Sequence, residues 1–487
     1  MNPSRRELLK IAGLAAANLC IPSWLPEAKA QETTESLTAE EIEHRFPADR
    51  LPIILYHNPT YNSGGVLMTQ EIFIAQMECL GQQGYHTLNT TELSAFLGGI
   101  TQIPYKSVAL RFDLGVIPWD EYENIVILCL RANNLHAIFY TVTGQNDEPA
   151  TWDRLGAWYQ EDLISLGSHS VSHPDFASIN ASQALTEARL SKQKIEDEFS
   201  QRGVRIEVNS FAFPYDSIPQ DCSFLTQAGY DNAMVGRPEA QITANVALPG
   251  ELVLPNLYPY TLPDILTGIQ DNSQNNPLAI PLSWGNYSFD RLLFETTRQL
   301  TAADVEQQIG EPYRPLEFAL YRALPPREYF AGRLVRPRGI VLHTDGQPME
   351  YPLNWNSSVT YNGLIGNNGA NVHFGVGMDG TTQFLEMYPH FITPTSGNGG
   401  AFFDHVGIEM GGNHYYQFDS GNAELRQAIE TITDRTIDLI ITLCHQYSLN
   451  PEHVYGHYEV SAKGKVDPGS RYMNEYFRPR LRERLSV

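Results

Sequence analysis

Cysteine is scarce in this chain, with five in 487 residues and no C-x-x-C pair among them. Cys79, Cys129 and Cys444 sit in apolar, helix-like stretches, so they read as buried thiols rather than a disulfide framework. Basic residues are also in deficit, 33 against 56 acidic, which leaves a formal net charge of −23. Phosphate binding needs a basic face, so a nucleic-acid or anionic-membrane partner is excluded. Long apolar runs are missing except near the N-terminus, and that one, Ile11 to Pro22, is too short to cross a bilayer. What is present suits folded domains: 42% hydrophobic residues, 18% charged, 37 glycines and 31 prolines. The length accommodates two or three domains of roughly 150 residues each.

The first thirty residues carry a targeting pattern. Arg5-Arg6 precedes the apolar run, and Ala28-Lys29-Ala30 offers small residues where a signal peptidase reads. The twin arginine resembles a Tat leader, with Leu8 where Phe is usual. The expectation is an exported protein of the periplasm or cell envelope, mature from about Gln31, with no membrane-spanning segment once the leader is removed.

Residues 31–47 are polar and acidic and read as a linker. From Leu51, apolar strand runs alternate with helical periodicity. Pro52–His57, Ser107–Phe112 and His136–Thr143 read as strands. Thr69–Gln83, Tyr122–Asn133 and Ala181–Gln201 read as helices. Such alternation predicts an α/β sheet or barrel over 48–250. Residues 251–335 are rich in Pro and Asn and form an unassigned connector able to complete either neighbour. A second α/β domain over 336–487 begins with strand Gly339–Leu342. It continues with a hairpin turning at Asp379-Gly380, strand His405–Met410 and a long helix, Glu424–Tyr447.

In the second domain His343 ends an apolar strand, His457 follows Val454-Tyr455-Gly456, and Asp467 follows Lys465-Val466. Two imidazoles and a carboxylate make a catalytic zinc set with a fourth position open to water. Single histidines at strand ends are more often structural, so spacing alone leaves the assignment open. The surrounding motifs are Ile340-Val341-Leu342-His343-Thr344, Asn371-Val372-His373-Phe374, Val406-Gly407-Ile408-Glu409, Tyr455-Gly456-His457 and Lys465-Val466-Asp467-Pro468-Gly469. In that order they resemble the N-acetylmuramoyl-L-alanine amidases related to peptidoglycan-recognition proteins.

The resemblance implies a central mixed sheet, Zn2+ held by His343, His457 and Asp467, Lys465 at the oxyanion, and Glu409 as catalytic carboxylate. A buried salt bridge is the competing role for Glu409. The implied substrate is peptidoglycan, a muramyl peptide cut between N-acetylmuramic acid and L-alanine. His373 is implied to be structural or substrate-lining. Val372 stands where other members carry Tyr.

In the first domain Tyr56-His57, Arg111-Phe112-Asp113-Leu114-Gly115, His169-Ser170-Val171-Ser172-His173-Pro174 and Phe213-Pro214-Tyr215 resemble the motifs of polysaccharide deacetylases, which implies a distorted (β/α) barrel. Asp113 fits the base, and His169 and His173 fit two metal ligands. Leu114, however, replaces the metal-binding Asp, Phe213 replaces an Arg, and no histidine lies between His173 and His343 to act as the late acid. The expectation is a degenerate, glycan-binding second site at Asp113, His169 and His173. The alternatives are a divergent deacetylase targeted by the amidase-like domain, and a wall-binding protein with no activity in either domain.

Overall fold

The computed structural model describes residues 37–486 apart from 61, 64–65, 116–117, 237–252, 257–288, 299, 310–314, 317–318, 324–331, 346, 348–349, 358–359, 361–363, 365–371, 396–397, 399–401, 413–414 and 462–464. The leader pattern and its cleavage site lie outside the described residues.

Eight strands of the first module form one parallel sheet. Its path runs 53–56, 107–114, 137–141, 164–168, 210–212, 232–236 and 253–256, with 86–87 paired beside 107–108. The last strand returns alongside the first, which curls the sheet into a distorted barrel. Strand Ser107–Leu114 is buried along its whole length, as expected for a parallel strand covered on both faces. Its side chains divide by the two-residue period. Val108, Leu110, Phe112 and Leu114 pack outward with Phe73, Tyr122 and Phe139. Ala109 points inward with Ile53, Ile138, Tyr140, Ala212 and Met234. Arg111 and Asp113 continue that inward row, at the carboxyl end of the barrel.

Helix Ala181–Gln201 has the bounds its periodicity predicts, opened by a capping box of Asn180 and Gln183 and burying Ala184, Ala188, Ile195 and Phe199. The helix expected over Tyr122–Asn133 begins earlier, at Trp119, and passes through a π-helical turn at Tyr122–Val126.

The second module is a six-stranded mixed sheet in the order 320–321, 380–383, 374–377, 406–410, 340–344, 454–456. Only the hairpin 374–377/380–383 is antiparallel. Helix Ala423–Tyr447 covers one face through Ile429, Ile432, Ile440 and Leu443, which meet Ile340, Leu342, Val406, Ile408 and Met410. By alternation Val341, His343, Gly407 and Glu409 face the other side. His343 and Glu409 are direct partners in the 340–344/406–410 register, at the carboxyl ends of parallel strands. That end is where open α/β sheets place their ligands.

Two stretches differ from the sequence reading. The polar segment expected to be a linker holds a helix, Ala39–His44, fixed by a capping box of Thr38 and Glu41. Ile42 and Phe46 then bury with Tyr105, Leu300, Val305, Leu334, Tyr388 and Phe391, a core drawn from both modules. Arg336 closes the same joint on Glu43 at 2.6 Å. The segment 251–335 serves both sides. Val253–Asn256 extends the first sheet, Phe289, Leu292 and Leu293 join its core, and Leu320–Tyr321 extends the second sheet.

Candidate metal centre

The strand ends bring His343, His457 and Asp467 together. One ligand atom from each lies within 4.8 Å of the others, and among the described residues no other group of three such side chains does so. His343 is set by its strand. His457 opens the short helix His457–Val460 directly after strand Val454–Gly456. Asp467 sits in the following loop, before a cis bond to Pro468. The two imidazole rings lie 4.3 Å apart, and His457 Nδ1 is 3.2 Å from Asp467 Oδ2.

The second nitrogen of His343 is already committed. Its Nε2 lies 2.7 Å from Asn398 Oδ1, and Asn398 in turn donates to the carbonyls of Phe402 (3.0 Å) and His405 (2.7 Å). An acceptor at Nε2 fixes that nitrogen as the N–H and leaves Nδ1 free to ligate. Burial, with the neighbouring His457, lowers the His343 pKa to about 3, so the ring is neutral, as a ligand must be. Burial works to raise Asp467, but the hydrogen bond and charge of His457 prevail and hold it below its ordinary value. Two imidazole nitrogens and a carboxylate fit a divalent transition metal, zinc above all.

Glu409 is 9% exposed and faces this cluster. Burial first, then the charges of Asp345 and Asp467, push its carboxyl well above the usual range, with Lys465 opposing. Among the described ion pairs none includes Glu409, so the salt-bridge role has no partner there. Lys465 is exposed, and its charge is felt at both His343 and Glu409.

His373 is fully buried away from the cluster. Its Nε2 donates to Thr393 O at 2.8 Å, and its Nδ1 accepts from Gly407 N at 3.0 Å, so it is structural. Sequence reasoning missed Asn398 and Asp345. Asp345 lies two residues after His343, on its face, and accepts from Gly412 N and the Thr360 hydroxyl.

In the barrel of the first module, Arg111, Asp113, His169 and His173 meet. Arg111 Nε and Nη2 donate to the two oxygens of Asp113 at 2.7 and 2.5 Å, and Nη1 lies 3.5 Å from Asp216. His169 donates Nδ1–H to Ala212 O at 2.9 Å, and its Nε2 stands 3.6 Å from Asp113. The His173 ring lies edge-on to His169 at 4.8 Å and to Tyr215 at 4.5 Å. Burial, opposed by Asp113, lowers the His169 pKa to about 4. Burial works to raise Asp113, but Arg111 overcomes it and holds the carboxylate ionised.

Fold and clusters thus define a chain of two α/β modules, each presenting polar side chains at the carboxyl ends of parallel strands. Comparison with known proteins finds a match for each module. Residues 102–233 match the polysaccharide deacetylase family, and residues 333–470 match the N-acetylmuramoyl-L-alanine amidase family. YxkH of Bacillus subtilis (strain 168), named as a polysaccharide deacetylase, is 28% identical over 180 residues, which make up 36% of this chain. The matched stretch spans 63% of that relative's length. Among solved structures, the Streptococcus pyogenes deacetylase PplD in complex with acetate is 19% identical, with a TM-score of 0.39, covering 45% of this chain and 95% of that one. IcaB from Ammonifex degensii is 18% identical, with a TM-score of 0.36, covering 44% and 93%.

Proposed function

We propose that the chain is an exported zinc-dependent amidase that hydrolyses the bond between N-acetylmuramic acid and the L-alanine of the peptidoglycan stem. The observation that carries this reading is the convergence of His343, His457 and Asp467, with Glu409 beside His343 on the same sheet face. Zinc held by those three, when bound, supplies a Lewis acid for the amide carbonyl and acidifies water.

The protein's own groups do the rest. Asn398 holds His343 in one orientation. Glu409, held as a carboxylate by the charge of a bound metal that would offset Asp467, would take a proton from the attacking water and return it to the leaving amine. Lys465 brings a cation from the exposed side toward the developing oxyanion. Among the described residues no helix is long and apolar enough to cross a membrane. The first module serves as a glycan-gripping partner.

The test is digestion of purified peptidoglycan by residues 31–487 with zinc, read by mass spectrometry. Free stem peptides and unsubstituted muramic acid are expected, absent with Asp467→Ala. Glu409→Gln should lose at least 100-fold in rate while keeping its zinc. Loss of N-acetyl groups from fully substituted glycan would instead make the first module the enzyme. Pelleting with the wall and no product would make the chain a binding protein.

A further inference from the structure

A deacetylase-type barrel implies a metal held by two histidines and an aspartate, and the residues of this barrel do not fit one. Leu114 takes the place of the metal-binding carboxylate and is packed into the outer core, away from the barrel interior. The remaining carboxylate, Asp113, has both oxygens occupied by the fork of Arg111. His169 Nε2 is 3.6 Å from Asp113, and the described residues Asp113, His169 and His173 do not form a cluster with metal-ligand spacing.

Arg111 itself is 1% exposed, lies over the Tyr140 ring, and is flanked by Asp113 and Asp216. A guanidinium cannot shed its charge at any working pH. Within a low-dielectric barrel, it meets the need for a cation that a metal meets elsewhere, and it occupies both oxygens of the carboxylate that a dication beside His169 and His173 would need.

We propose that Arg111 is a built-in replacement for the metal, so that the first module is a metal-free cleft whose cation is a side chain. One positive group offsets the charge of Asp113, with Asp216 farther off at 3.5 Å, and satisfies the buried carboxylate with two charge-assisted hydrogen bonds. The site is then stable in its apo form. It needs no metal loading, and it survives chelators that strip the second module. A deacetylase activity that depends on a divalent ion has no seat here.

Zinc content of the full chain after exhaustive dialysis, read by plasma mass spectrometry, tests this. One equivalent is expected, lost in Asp467→Ala and unchanged in His169→Ala. Arg111→Ala should gain a second equivalent that His169→Ala removes again, whereas Arg111→Lys, which keeps a cation, should not. Circular dichroism checks that each variant is folded, because a buried Asp113 stripped of its partner is costly. If Arg111→Ala fails to fold, the comparison of the unmodified chain with His169→Ala still decides. Two equivalents in the unmodified chain, or one that persists in Asp467→Ala and vanishes in His169→Ala, overturn the proposal. So does a folded Arg111→Ala chain that takes no second zinc. A chain with no zinc at all would sink the amidase reading and leave this one standing.

Discussion

Asn398 illustrates how much of a metal site lies one bond away from its ligands. It is fully buried and saturated, with one oxygen accepting from His343 and two N–H groups spent on backbone carbonyls. Asn398→Ala leaves the His343 Nε2–H and the His405 carbonyl without this partner and frees the His343 ring to rotate. Zinc affinity should fall roughly 10- to 100-fold, measured by competition with a chromogenic chelator. Unchanged affinity would mean that packing alone orients the ring.

His373 offers a second test at the residue scale. Its ring donates at one nitrogen and accepts at the other, and burial lowers its pKa to about 4. In the unfolded chain the same ring titrates near 6.5, so below that pH the unfolded state binds the extra proton first. Stability from this residue is complete above about pH 6.5 and declines as pH falls toward 4, by about 2 kcal/mol at pH 5. Urea unfolding at pH 7.5 and pH 5 should therefore show a smaller acid-side loss in His373→Gln than in the unmodified chain. Equal losses would assign the acid sensitivity to other buried histidines.

At the scale of elements, strand Val406–Met410 does two jobs with one alternation. Val406, Ile408 and Met410 anchor it to the long helix, and Gly407 and Glu409 serve the site. Gly407 is small for a reason, since a Cβ there would sit 2.7 Å from Asn398 Oδ1 and 2.9 Å from Val372 Cγ1. Gly407→Ala should cost about 1–3 kcal/mol by overpacking and displace Asn398, so zinc affinity and urea midpoint should drop together. A lower midpoint with undisturbed zinc binding would separate the two jobs.

This alternation was legible in the sequence, and so were the strand that ends in His343, the long helices and the order of the motifs. Asn398 was not, because it lies in a Gly-rich loop and acts only through a contact across 55 residues. Arg111 was read only as the first residue of a deacetylase-like motif. Its pairing with Asp113 needs the strand's inward face, which a one-dimensional pattern locates only when the neighbours are known. The helix at Ala39–His44 was hidden by its polarity, since Ile42 and the following Phe46 are the buried apolar residues and Glu43 buries beside them.

At the scale of the molecule, the shared core around Ile42, Phe46, Leu334 and Phe391 packs the two modules together, and a single unfolding transition is expected. Phe391→Ala should weaken that joint by about 3–5 kcal/mol and split one calorimetric transition into two. Two resolved transitions in the unmodified chain would show that the joint does not couple them.

A shared core also removes the tether. Two catalytic or gripping heads on a flexible string sample every spacing, at the mercy of linker length. Here the barrel mouth and the His343–His457–Asp467 cluster are joined through one shared core. Under the proposed function, a polymer seated in the first would be offered to the second at a constant offset, as stock in a jig meets its blade, and the frame would be the ruler that sets where the cut falls.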